Sequence, residues 1–273
     1  MTFAWTVALR FLREGRMQSV LIIVGATVGV GVMVFLSALI GGLQQSLIDQ
    51  TLGTQAHVVV RKPERQVHPL MDRGADLVGG RIERPAQRLE SISSWQGVLS
   101  QIDAVDGVVA TAASVSGGGF ASRGAAVKSV VLQGVDAARY DQVIPVSRRL
   151  LDGAFRVQGN ETVIGTELAD ELGVGVGDKL NLLTSEQRSG TFTIAGIFDL
   201  QNQEANLRWV FVSLRQGQTL LDLAGGVSAI DVRVADVFAA DAVSAAIRAR
   251  TELDARSWME INEQLMVALR SQG

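Results

Sequence analysis

Few residues of this 273-residue chain have the type and spacing to do chemistry. Gly173-Val-Gly175-Val-Gly177-Asp178 has the look of a glycine loop that cradles phosphate. A dinucleotide-binding loop follows a strand and opens a helix, however, and this run follows a predicted helix (Thr166 to Leu172) and precedes a strand at Leu180. Its physical reading is a helix C-cap at Gly173 and a tight turn at Gly177-Asp178. The only histidines, His57 and His68, have no ligand-spaced partner, and each reads as structural or solvated. With no cysteine there are no disulfides, no thiolate catalysis and no cysteine-ligated metal. Gly-x-x-x-x-Gly-Lys-Ser/Thr and Gly-x-Ser-x-Gly are both absent, which excludes a P-loop ATPase and a nucleophile elbow. No catalytic, cofactor or metal residue is expected, and the chain does not read as an enzyme. A net charge of −3 leaves no basic face to neutralise phosphates, so nucleic acid is not an expected partner.

The strongest physical signal lies elsewhere. No charged side chain occurs between Arg16 and Asp49, and Val20 to Ile40 is almost wholly apolar. About 21 residues at roughly 1.5 Å each give about 31 Å, the thickness of a bilayer's hydrocarbon core. A signal peptide would have a shorter apolar run with a small-x-small cleavage site close behind, so a retained membrane helix over 19–43 is expected. Arg10, Arg13 and Arg16 precede it and nothing basic follows until Arg61, which puts the N-terminus in the cytoplasm and the rest outside. Residues 1–18 either form an amphipathic helix on the cytoplasmic surface, anchored by Trp5, or continue the span into water; membrane lipid is a partner either way. Gly25-x-x-x-Gly29 is a helix-packing candidate, because small residues let a second helix approach.

Beyond the span, strand–helix–strand units are predicted at 57–110 and 227–258, with a β-rich stretch between them. Val127–Val135, Thr162–Ile164, Leu180–Leu183, Gly190–Phe198 and Trp209–Val212 read as its strands. The expected fold is α+β: one transmembrane helix, then a periplasmic α+β subdomain in two parts (44–115 and 226–258) with a β-rich subdomain (116–225) inserted. Gly117-Gly118-Gly119 and Gly225-Gly226 are the expected hinges. Residues 61–88 hold three of the four prolines and read as a long loop, a candidate contact surface. Residues 259–273 are amphipathic and read as the lead-in to a second span that is missing here.

Three passages resemble the permease subunits of the MacB/LolC-LolE/FtsX superfamily of ABC transporters. They are Ala8-Leu-Arg-Phe-Leu-Arg13 with the glycine-rich span, Val163 to Leu180 with Phe192 to Phe198 behind it, and Ser257-Trp258 to Leu269. Gly173, Gly177 and Asp178 fall on the second passage's signature turn. The resemblance implies a permease that pairs with a second copy or paralogue and with a cytoplasmic ABC ATPase subunit, whose ATP hydrolysis moves a periplasmic domain. It also implies a bacterial inner-membrane location and a periplasmic carrier or adaptor as a further partner. Lipoprotein release is the expected task; MacB-like efflux, glycolipid export and a singly anchored scaffold are the alternatives. Family permeases have four membrane helices, so this chain reads as a truncated product or one whose remainder is encoded elsewhere.

Overall fold

In the computed structural model, residues 16–52, 55–63 and 91–263 are described, and the chain divides into two units, 1–50 and 51–273. The first holds most of helix α1 (Arg16–Leu52). Within it the 20-residue stretch Val20–Leu39 has a mean hydropathy of 2.5 and is unburied by the chain itself. A helix apolar on every side has no core to face, and in lipid a helix satisfies every backbone group internally despite its glycines. By length and composition this stretch is able to cross a bilayer.

The second unit is built on ten hydrogen-bonded strands among the described residues. Strands β1 (Val58–Arg61), β2 (Val108–Arg123), β9 (Ala229–Val234) and β10 (Asp254–Ser257) lie in the order β10-β1-β9-β2 with antiparallel neighbours. Helix α2 (Trp95–Asp103) joins β1 to β2, and α7 (Ala240–Thr251) joins β9 to β10. These are two interleaved split β-α-β units. Both helices cover one face. Leu99 and Ile102 of α2 and Val243 and Ile247 of α7 share a buried cluster with Val58, Val60, Ile230, Val232 and Val234, the alternate positions of their strands.

The middle of the chain closes on itself. Strands β3 (Ala126–Val135), β5 (Glu161–Gly165), β6 (Lys179–Thr184), β7 (Ser189–Phe198) and β8 (Trp209–Ser213) form, with β2, the circuit β2-β3-β8-β5-β7-β6-β2. Strand β4 (Leu150–Gly153) adds to β7 outside the circuit. Closure leaves these strands without free edges, and Leu132, Ile164, Leu180, Leu182, Phe192, Ile194 and Val210 fill the interior with Leu168 and Leu172 of α4 (Thr166–Leu172).

Strand β2 belongs to both parts. One edge pairs with β9 over Val108–Ser114 and then with β6 over Gly119–Ser122, while β3 runs along the other edge. Gly117-Gly118-Gly119, expected as a hinge, therefore sits inside an unbroken strand. A Cβ on Gly119 would stand 2.7 Å from Leu132 and 2.8 Å from the Leu183 carbonyl, so glycine is needed there for strands to close rather than to bend.

Three short helices escape periodicity: α3 (Ala137–Val143), α5 (Gln203–Arg208) and α6 (Leu214–Leu220). Six or seven residues span too few turns to print a stripe, and their caps carry the signal instead. Asp136, Asn202 and Ser213 accept the first free N–H groups. Helix α3 covers the second face of the sheet, where Tyr140 stacks on Phe211. Phe155, Phe198 and Trp209 also ring Phe211, with centroids 5.4 to 6.1 Å away. The helix of the predicted unit at 227–258 is preceded by a 3-10 turn, Val237–Ala239, under an Asp236 cap.

Candidate functional site

The site with the greatest functional content is the place where the two ends of the described part of the second unit meet. Gln55, three residues beyond the end of α1, leads into β1; β10 leads out into helix α8 (Trp258–Ile261). Strands β1 and β10 are neighbours, with Val58 opposite Ser257. The Trp258 N–H donates to the His57 carbonyl at 2.8 Å. Asn262 Nδ2 donates to the Trp258 carbonyl at 2.7 Å and reaches Gln55 Oε1 at 3.5 Å.

Each residue is fixed by local chemistry. Ser257-x-x-Glu260 is a capping box: the Glu260 N–H donates to Ser257 Oγ at 3.1 Å, and the Ser257 N–H donates to Glu260 Oε2 at 3.3 Å. Ser257 Oγ also donates to Asp241 on α7. Trp258, 1% exposed, packs in the sheet's main cluster, and its indole N–H donates to the Val237 carbonyl at 2.8 Å. His57 Nδ1 lies 3.2 Å from both the N–H and the carbonyl of Val234, so it accepts from the one or donates to the other according to its tautomer. Burial pushes the His57 pKa below 6.5, donation to the Val234 carbonyl opposes the fall, and the Arg233 charge adds to it.

Close by, Asp231 on β9 alternates with buried Ile230 and Val232 and lies on the face that α3 covers. Burial raises its pKa above 3.8, against the opposing effects of Ser114 Oγ, which donates to it at 2.7 Å, and of the Arg61 charge. Tyr140 is raised well above 10.0 by burial and then by the Asp231 charge. A hollow of about 400 Å³ between Val59, Arg61, Asp254, Arg256 and Ile261 opens beside the junction. A cleft of about 680 Å³ lies at the carboxyl ends of the parallel strands β3 and β8, between Asp136, Phe155 and Arg156. Among the described residues no three His, Asp or Glu side chains group to hold a metal ion.

The sequence-predicted residues do not converge. Gly25 and Gly29 lie on α1, and among the described residues nothing comes within 4 Å of a Cβ built on either. Arg16 is the first residue of α1; Arg10 and Arg13 lie outside the described residues, as do 64–88 of the expected contact loop and 264–273 of the expected lead-in. Gly173, Gly177 and Asp178 lie on the barrel, away from the junction in sequence and topology. Gly173 is left-handed (φ 61°), and the Val174 N–H donates to the Ala169 carbonyl at 3.0 Å, closing a Schellman cap. Asp178 Oδ2 accepts the Gly175 N–H at 2.9 Å, the Gly177 N–H donates to the Ile194 carbonyl at 2.8 Å, and Arg123 bridges Asp178 at 3.3 Å and donates to the Gly173 carbonyl. In this geometry the signature turn ties α4 to the barrel end. Ser257 and Trp258 open the third of the resembling passages, and Ser257-Trp-Met-Glu260 is a legible capping box, but nothing along the chain signals their pairing with Gln55 and His57.

Comparison with known proteins places these features in a family context. Residues 19–250 match the family model described as MacB-like periplasmic core domain. The chain is 21% identical over 287 residues to the lipoprotein-releasing system transmembrane protein LolC of Neisseria meningitidis serogroup B, covering 97% of this chain and 63% of that one. It is 24% identical over 282 residues to LolC of Xylella fastidiosa strain Temecula1, covering 97% and 62%. The chain thus spans less than two thirds of the length of these relatives. The periplasmic region of MacB from Actinobacillus actinomycetemcomitans has the same fold at 11% identity, with a TM-score of 0.50 over 80% of this chain and 95% of that one.

Proposed function

The chain belongs to the MacB-like periplasmic core domain family, and from that premise we propose that it is a permease subunit of an ABC transporter, working in lipoprotein release. In this reading α1 crosses the bacterial inner membrane with Arg10, Arg13 and Arg16 on the cytoplasmic side. A separate cytoplasmic ATPase supplies the energy, and a second permease copy or paralogue packs on Gly25 and Gly29. Residues 44–115 with 226–258 act as one periplasmic subdomain and 116–225 as another, a reading supported by the open β10-β1-β9-β2 order and the closed β2-β3-β8-β5-β7-β6 circuit, which share β2. Lipoprotein as cargo rests on the named task of the LolC relatives.

The observation that carries the reading is the joining of the two ends of the described part of the second unit at Gln55, His57, Trp258 and Asn262. In this reading a pull on Gln55 reaches β1 and β10 through these bonds. The test is purification of the tagged chain from its own host in mild detergent. A P-loop ATPase is expected in the eluate, with ATP hydrolysis that falls several-fold in Trp258→Ala. Purification without any ATPase would sink the proposal.

A further inference from the structure

The barrel carries a surface that its own packing does not use. On β3, β2, β6 and β7 the outward positions at the centre of the wall are Val127, Ser129 and Val131, then Gly118, Phe120 and Ser122, then Asn181 and Leu183, then Ser189 and Thr191, with exposed Lys179 and Thr193 paired one row further out at its edge. They alternate with buried Val130, Leu132, Ala121, Leu180, Leu182 and Phe192. None of the ten carries a charge, in a chain that is 19% charged. Register puts Phe120 directly opposite Leu183 on one side and Ser129 on the other, with Val127 one row away opposite Ser122. Phe120, Leu183 and Val127 are 45%, 44% and 58% exposed, and no described residue covers them. Charges begin only at the strand ends, where Arg123 pairs with Asp178, Lys128 with Glu171 and Arg188 with Asp222. An uncharged, partly apolar centre inside a charged rim is the anatomy of a protein contact face.

Size and charge narrow the occupant. Four strands about 4.8 Å apart, with outward positions about 6.7 Å apart along each, make a face of about 400 Å². A stable dimer buries about 800 Å² on each partner, so a permanently bound second copy does not fit, whereas a short-lived encounter does. A partner that pressed a charge onto this face would strip its water and leave it unpaired. We propose that the wall centred on Phe120 and Leu183 docks a separate protein, transiently, through a contact face that is itself uncharged and offers apolar, hydroxyl and amide groups. The inference does not depend on the transporter reading.

The experiment places the photo-crosslinker benzoylphenylalanine at Val127 of the full chain in its own cells, with exposed Ala245 on α7 as control. A single heterologous adduct is expected at 127 and not at 245, reduced at least tenfold when Phe120→Asp is added. The protein in that adduct, identified by mass spectrometry and purified, is then titrated against the full chain in nanodiscs. Leu183→Asp, and Phe120→Ser as a milder change, are expected to weaken binding at least tenfold with an unchanged melting temperature. An adduct at twice the mass of the chain, a lipid adduct alone, or no adduct at 127 overturns the proposal. Binding indifferent to both variants does so too. ATPase recovery is expected to be normal in these variants, so a failure here and a failure of the transporter reading are told apart.

Discussion

The main-chain N–H of Trp258 donates to the carbonyl of His57 at 2.8 Å, which binds the first described strand of the domain to the start of the helix that leaves it. Two hundred residues of sequence separate them, yet the side chains around this bond are fixed twice over. Trp258 is held by packing and by Val237, His57 by Val234. Neither residue is free to shift without breaking a bond of the other.

Trp258→Ala removes the largest fully buried side chain and is expected to cost about 3–5 kcal/mol, near the whole margin of a domain. Trp258→Phe keeps most of the packing and leaves the Val237 carbonyl unpaired, costing about 1–3 kcal/mol. Denaturant unfolding of the detergent-solubilised chain reads both.

Acid is expected to loosen the same joint. His57 has a folded pKa below 6.5, so on acidification the unfolded chain takes up the proton first. Its contribution to stability is complete above about 6.5 and is lost as the pH falls from there to the lowered folded value. Melting curves from pH 8 to pH 5 should show this loss in the wild type, and a smaller one in His57→Gln.

Asp231 works in the opposite sense. Its folded pKa is raised above 3.8, so the folded state holds the proton longer and stability falls as the pH rises from 3.8 through the folded value. Asp231→Asn keeps an oxygen to accept the Ser114 hydroxyl and removes the buried charge. The variant should melt higher than wild type at pH 7 and level with it below pH 3.8; a lower midpoint at pH 7 would refute this account.

Two glycine substitutions should separate close packing from backbone strain. A Cβ on Gly217 would stand 2.7 Å from the Gly134 Cα, backbone against backbone between α6 and β3, so Gly217→Ala is expected to cost about 1–3 kcal/mol. At Gly173 space is open and only the left-handed φ of 61° resists, so Gly173→Ala is expected to cost about 1 kcal/mol. Equal losses in chemical denaturation would contradict the distinction.

Gly25→Leu with Gly29→Leu should leave the melting of the 51–273 unit unchanged, since no described residue approaches either position. Loss of the second permease copy from the purified complex, read by native mass spectrometry, is the expected effect.

Much of this protein was legible along the chain. An uncharged run of bilayer length fixed the helix, because the period of the signal does not matter when every face is apolar. Alternation fixed β3, β6, β7 and β9, since one side of each strand had to be buried. Composition excluded catalysis by thiol or P-loop. Other features were set only in three dimensions. Whether Gly117–Gly119 bends or threads straight depends on Leu132 and the Leu183 carbonyl closing on it, which no local pattern records. Asp231 is half-buried because α3, too short to print a period, packs against β9. The meeting of Gln55 with Asn262, and of His57 with Trp258, follows from the interleaving of two β-α-β units. Long-range pairing of that kind is decided by which edges remain free once the local elements have formed, and so only the tertiary structure could place the joint.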